Sequence, residues 1–242
     1  MIEPEINSNY IPDQPAQADQ SMSAHAQTIA VNDLGLIDYE KALEIQLSTL
    51  TQFKSNTLIF CSHPRVVTTG RATQKQDIIN WSGKIVEVSR GGRATYHGPN
   101  QLVIYPIVDL KKYFNSDLHK YLRFLESVII ATLKNYNLDC SNKSQSVAND
   151  ENQTGVWIND KKIASIGIAV TSWISYHGIA INVHSDPEAF VGINPCGYSP
   201  NIMTSMQDQL QRPVDLSELK NIFYKTWVEF FDRLLADAKK NC

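Results

Sequence analysis

The run Gly155–Val183, G-V-W-I-N-D-K-K-I-A-S-I-G-I-A-V-T-S-W-I-S-Y-H-G-I-A-I-N-V, decides the fold. Its β-branched and aromatic residues predict three consecutive antiparallel strands, Gly155–Ile158, Lys162–Val170 and Ser175–Val183. Asn159-Asp160 suits the first hairpin turn, because both residues tolerate turn conformations. Alternation along a strand sends Lys161 and Lys162 to opposite faces, so one of the two should point inward. A partly buried lysine can assist or deprotonate a thiol, whereas two exposed strand lysines would do nothing.

Outward from this run, helices and strands are mixed. On its N-terminal side, residues 117–136 place Leu118, Tyr121, Leu122, Leu125, Ile129, Leu133 and Tyr136 on one helical stripe. Gln101–Asp109 reads as a buried strand whose Pro106 limits hydrogen bonding and implies an edge or a bulge. Thr28–Val31, Leu58–Phe60, Arg65–Thr68 and Ile85–Val88 read as further strands, and 37–51 as a helix. Residues 139–153 are polar and turn-like. On the C-terminal side, 184–213 is mostly loop, with Pro187, Pro195, Pro200 and Pro213. Asp215-Leu216-Ser217-Glu218 opens a last helix whose core face would hold Leu219, Ile222, Phe223, Phe230 and Leu234. Residues 1–26, with Pro4, Pro12 and Pro15 among polar residues, read as a disordered tail. Residues 27–242 are then one α+β domain, a mixed, largely antiparallel sheet flanked by helices.

Composition narrows the function. The chain has 242 residues, enough for a full core, and its formal net charge of −3 argues against nucleic acid as a partner. No run approaches a membrane span, and the first 26 residues lack both a signal-peptide h-region and the arginines of a transit peptide. Cys61, Cys140, Cys196 and Cys242 lie far apart with no C-x-x-C pair, so neither a zinc site nor any other metal or cofactor is expected. Reduced thiols in the cytoplasm are the expectation.

The densest chemistry lies in Arg90–Pro99, R-G-G-R-A-T-Y-H-G-P. A phosphate cradle is one reading. However, the chain has no G-x-x-x-x-G-K-[ST] or G-x-G-x-x-G, and these glycines precede a strand rather than a helix. A strand–turn–strand with a glycine bulge is another reading, and one wall of a small-molecule site a third. Cys196 sits between Pro195 and Gly197 in a tight loop suited to an exposed thiol. As a nucleophile it would need a nearby cation or base to favour the thiolate. His97 and His177 each occur in Tyr-His-Gly, as core histidines or as hydrogen-bonding groups around an acyl carbonyl. Ser217–Lys220 matches S-x-x-K but lies on an amphipathic helix without its companion motifs.

In order, these motifs resemble the lipoyl(octanoyl) transferase family. The resemblance rests on His63-Pro64 with Thr68 and Gly70, on Arg90–Pro99, Gly155-Val156-Trp157, Lys162–Gly167, His177–Val183 and Pro195-Cys196-Gly197, and spans about Leu34 to Ser205. The chain departs from the pattern at Ser62, Asn100 and Ala169, where the family often has Glu, Gly and a basic residue. The resemblance implies the fold of biotin and lipoate ligases and a two-step acyl transfer. Cys196 would take an octanoyl group from octanoyl-acyl carrier protein as a thioester. A lysine on a lipoyl domain, in 2-oxoacid dehydrogenase complexes or the glycine cleavage H protein, would then take it as an amide. Lys162 would assist the thiol. Arg90, Gly91, Gly92, Arg93, Ala94, Thr95, Tyr96 and His97, with Ser165, Ile166 and Gly167 and with Gly178, Ile179 and Ala180, would line the acyl pocket. Backbone N–H groups near Cys196 or Gly92 would face the oxyanion. The rivals are an ATP-dependent ligase on the same fold and a non-catalytic acyl-carrier-binding module.

Overall fold

The nine strands among the described residues build two sheets, and the larger one carries the core. The computed structural model describes residues 29–143 and 154–240. The expected tail and residues 144–153 of the polar segment lie outside them. The chain runs β1 (Ile29–Leu36), α1 (Tyr39–Thr51), β2 (Asn56–Ser62), β3 (Val66–Thr69), β4 (Lys84–Glu87), β5 (Thr95–His97), β6 (Gln101–Ile107), α2 (Leu110–Phe114) and α3 (Leu118–Lys134). After these come β7 (Gly155–Ile158), β8 (Lys161–Thr171), β9 (Ile174–Asn182), α4 (Met206–Leu210) and α5 (Leu216–Lys240). The six-stranded sheet has the order β1-β2-β6-β9-β8-β7, antiparallel except for β1 on β2. A three-stranded sheet, β4-β3-β5, stands apart from it, with β3 parallel to β4 and antiparallel to β5.

The three strands expected over 155–183 form β7, β8 and β9, paired as neighbours. Asn159, at φ +51°, makes the first turn. The second is a two-residue loop in which Ser172 and Trp173 both have positive φ, the conformation that suits the right-handed twist of a hairpin.

The large sheet is buried on both faces, so β2 and β6 read as continuous apolar runs rather than alternating ones. Leu58, Phe60, Leu102 and Ile104 meet α2, α3 and α5 on one face. Ile59, Cys61, Val103 and Tyr105 point to the other face, where Ala42 of α1 covers part of them. The rest of that second face is roofed by the 90–97 segment and the small sheet, and the candidate site lies there.

Four expectations are corrected. Pro106 lies on an interior strand, opposite Leu58, and not at an edge. The ladder to β9 ends at Ile104–Ile179, and the Ser175 hydroxyl takes over: it donates to Pro106 O (2.7 Å) and accepts from Val108 N (3.1 Å). No bulge lies there either: the β6–β9 pairs and the isolated Asp109–Ile174 bridge beyond them keep one register, although His177 in β9 has φ +56°. Second, the 184–213 loop contains α4, started by a Ser205–Asp208 capping box. Third, Leu118 of the α3 stripe is exposed, while Phe124 and Val128 are buried. Fourth, the buried line of α5 is Leu219, Phe223, Trp227 and Phe231, with Ile222, Phe230 and Leu234 only partly covered. Trp227 meets Phe124 edge-on at 5.1 Å, so aromatic packing between α3 and α5 set which side of the helix faces inward. No helix among the described residues is long and apolar enough to cross a membrane.

Candidate active site

Strand alternation sorts the expected residues. In and just before β5, Thr95 and His97 face a cleft, whereas Ala94 and Tyr96 face away from it. Tyr96 packs instead against Phe190 and Trp81, and its hydroxyl donates to Asp186 (3.0 Å). Ala94 reaches the site only through its carbonyl, which accepts the N–H of Cys196 (3.0 Å). Arg90, Gly91, Gly92 and Arg93 line the same cleft, as do Ser165, Ile166 and Gly167 of β8 and Gly178, Ile179 and Ala180 of β9. Lys162 and Cys196 complete the set.

Lys162 Nζ lies 3.8 Å from Cys196 Sγ, across 34 residues of chain. The parity expectation holds. Lys161 is exposed and reaches Asn201 O, while Lys162 is 1% exposed, its ammonium 5.4 Å above the Trp157 ring. Gly155, on the neighbouring strand, makes room for this side chain. Its φ is +138°, and a Cβ there would sit 2.7 Å from Lys162 Cε and 2.4 Å from Ala164 O. The Gly155 N–H is held from behind by Glu126 of α3 (3.2 Å), a fully buried carboxylate that also pairs with Arg123 (2.7 Å).

Cys196 sits in a single helical turn, Pro195–Gly197, with φ +54°. This left-handed backbone is uncommon for a residue with a Cβ and costs on the order of 1 kcal/mol. The N–H groups of Cys196 and Gly197 are both committed, to Ala94 O and Asn194 O. They are therefore not the free oxyanion donors expected near Cys196. No described residue accepts the N–H of Gly92, a residue of the cleft lining.

The inner cleft holds Tyr39, Val103 and Tyr105, which sequence reasoning did not place there, and His177, offered by the sequence either as a core histidine or as a hydrogen-bonding group around an acyl carbonyl. Tyr39 contacts His177 Nδ1 (3.3 Å), and Tyr105 contacts His63 Nε2 (2.7 Å). The second Tyr-His-Gly was the available signal for His177; Tyr39, at the start of a helix, carried none. Burial holds His63, His97 and His177 below the usual imidazole range, His177 down to about 3 with the Arg90 charge adding to the effect. Burial likewise pushes the Tyr39 hydroxyl up to about 12. Arg90 is thus the charged group of this inner region, its guanidinium bound to Thr68 O and Oγ1 and to the carbonyls of Gly91 and Arg93. Burial alone weakens its hold on the proton, and Tyr39 and Cys196 oppose that effect.

The other described cysteines differ from Cys196. Cys61 is buried and burial pushes its thiol well up; Cys140 is pushed up to about 12 for the same reason. Among the described residues no cluster of His, Cys, Asp and Glu could hold a metal ion. A buried lysine against a half-buried thiol, at the edge of a cleft, is equipped for nucleophilic acyl transfer.

Comparison with known proteins bears on this arrangement. The sequence matches the family model described as the lipoyl protein ligase A/B catalytic domain over residues 38–227. It is 44% identical over 201 residues to an octanoyltransferase of Bdellovibrio bacteriovorus, covering 78% of this chain and 92% of the relative. An octanoyltransferase of Cytophaga hutchinsonii is 34% identical over 236 residues, covering 85% and 93%. Among solved structures, a lipoate-protein ligase A bound with ATP aligns with TM-score 0.69 at 17% identity, over 84% of this chain and 85% of that one. A biotin protein ligase from Aquifex aeolicus aligns with TM-score 0.53 at 15% identity, over 86% and 71%. These likenesses at low identity establish the α+β fold, and the sequence matches establish more: the chain belongs to the lipoyl protein ligase A/B catalytic-domain family and, within it, to the octanoyltransferases.

Proposed function

We infer that this chain is an acyltransferase that moves an octanoyl group to a lipoyl-domain lysine through a thioester on Cys196. The observation that carries the reading is the 3.8 Å approach of Lys162 Nζ to Cys196 Sγ. An ammonium at that distance favours the thiolate, and the thiolate is the nucleophile.

In the first step the Cys196 sulfur attacks the carbonyl carbon of octanoyl-acyl carrier protein. The carbonyl oxygen takes negative charge, and the N–H of Gly92, which no described residue accepts, is a backbone donor available from the cleft lining. The donor's carbon–sulfur bond breaks, and its thiolate leaves with a proton that Lys162 is placed to give. In the second step the acceptor lysine, as a neutral amine, attacks the Cys196 thioester. The amide forms, the bond to Sγ breaks, and the proton lost by the amine passes to Lys162. Both bonds exchanged are acyl bonds, so no nucleotide is consumed. The acyl chain lies across the neighbouring strands β6, β9 and β8, over Val103, Ala180 and Ser165. The acceptors are lipoyl domains of 2-oxoacid dehydrogenase complexes and the glycine cleavage H protein. A thiol nucleophile works in a reducing compartment, here taken as the cytoplasm.

The test is a transfer assay from octanoyl-acyl carrier protein to a purified lipoyl domain without ATP. The reading predicts octanoylated lipoyl domain from the wild type and none from Cys196→Ala. Transfer that starts only when ATP is added would instead mark a ligase.

A further inference from the structure

The thiol's unusual backbone is held by an ion pair that the two steps above do not use. Asp77 is fully buried, at the end of a short helical turn, Lys75–Asp77. Its carboxylate accepts two prongs from Arg93, one of them Nε at 2.9 Å, and also the Gln74 N–H at 2.9 Å. A buried carboxylate paired in this way is strongly bound, and two-pronged arginine contacts fix orientation as well as charge.

Both partners of the pair grip the turn that carries Cys196. The Asp77 carbonyl accepts Asn194 N (2.8 Å), and Gln76 O accepts the Asn194 side chain (2.9 Å). From the other side, the remaining Arg93 nitrogen, Nη1, lies so close to Gly197 that a Cβ there would fall 2.0 Å from it. Gly197 itself has φ +81°. The guanidinium plane is therefore wedged against the peptide that follows the thiol, and Arg93 also lines the cleft.

We propose that the buried Asp77–Arg93 pair is a positioning device for Cys196, holding its turn in the left-handed conformation and keeping a guanidinium beside the sulfur. The inference rests on Cys196 as the reactive thiol. The charged and titratable groups that share the cleft or the turn with that sulfur are Lys162 from β8, Arg90 and Arg93 from the segment before β5, His97 from β5, Tyr105 from β6, His177 from β9, Tyr39 from α1 and Tyr198 just after the turn, with Asp77 behind Arg93. Arg93 feels both Cys196 and Tyr198 as negative neighbours, in the sense that keeps its own proton bound. Asp77 neutralises no more than one cation, so the sulfur still faces a net positive surround.

Site-resolved alkylation of Cys196 by iodoacetamide, followed across pH 6–9 by peptide mass spectrometry, tests the device without any acyl donor. Arg93→Gln should slow alkylation at pH 7 about tenfold and move the profile upward by about one pH unit, whereas Asp77→Asn, which loosens the turn but removes a negative charge and leaves the guanidinium, should lower the rate across the range without moving the profile upward. Arg93→Lys, which keeps the charge but not the two-pronged contact, should restore much of the profile while kcat for acyl loading stays low. If Asp77→Asn does not fold, the two Arg93 variants carry the test, since that side chain is partly exposed. An Arg93→Gln profile superimposable on the wild type would overturn the proposal. A wild-type chain that alkylates as described but accepts no octanoyl group would instead refute the acyl-transfer reading and leave the device standing.

Discussion

In the proposed mechanism two residues, Lys162 and Cys196, carry the chemistry, and each rests on a local constraint. Lys162→Ala removes the only cation in hydrogen-bond reach of Sγ among the described residues, and thioester formation should slow by about 10²- to 10⁴-fold. Lys162→Arg should not rescue it, because the larger planar head has no room between Trp157 and Gly155. Stopped-flow loading of octanoyl-acyl carrier protein measures both; loading within twofold of the wild type would remove Lys162 from the mechanism. The thiols should also separate by reactivity. Iodoacetamide at pH 7 should label Cys196 well before Cys61 and Cys140, whose thiols burial pushes up. At this scale the sequence was informative where motifs were dense, at Arg90–His97, Lys162 and Cys196. It could not say which way each side chain points. Ala94 and Tyr96 fell on the far face of β5 by strand parity, and Tyr39 and Tyr105 came in from elements with no motif.

At the scale of elements, the site depends on how β7, β8 and α3 meet. Gly155 opens β7, is held by Glu126 of α3, and leaves the space that Lys162 fills. Gly155→Ala should therefore abolish loading while the melting temperature drops only a few degrees, since the clash is with one side chain and one carbonyl. Glu126→Ala strands a buried N–H and should cost about 1–3 kcal/mol by urea titration. Strand and helix existence was legible where period-2 and period-3.6 patterns are long and clean, in β7–β9, α3 and α5, but not for the five-residue helices α2 and α4, which are too short to show a period. Pro106 misled about its strand's place because a hydroxyl, Ser175, repairs the ladder there. The stripe of α5 shifted to Trp227 and Phe231 because tertiary aromatic packing, not local spacing, chose its face.

For the whole molecule, three buried histidines tie stability to pH. His63, His97 and His177 are held neutral by burial, with His177 at about 3. Above pH ~6.5 neither the folded nor the unfolded chain protonates them, so their full contribution is present. As pH falls below that value the unfolded chain binds protons first. Stability is then lost at up to about 1.4 kcal/mol per pH unit for each histidine, until its own folded value is reached. Urea midpoints should fall steadily from pH 6.5 towards pH 4, and the fall should be shallower in His177→Gln; a flat profile over that range would contradict the burial argument. The same inner region, neutral apart from Arg90, is where an acyl chain would end. The central claim is that Cys196 carries the octanoyl group between donor and acceptor. Intact-mass measurement after incubation with octanoyl-acyl carrier protein, without ATP, tests it most directly. The account predicts a single added octanoyl group that is absent from Cys196→Ala and released by hydroxylamine. No adduct, or one that persists in Cys196→Ala, would contradict it.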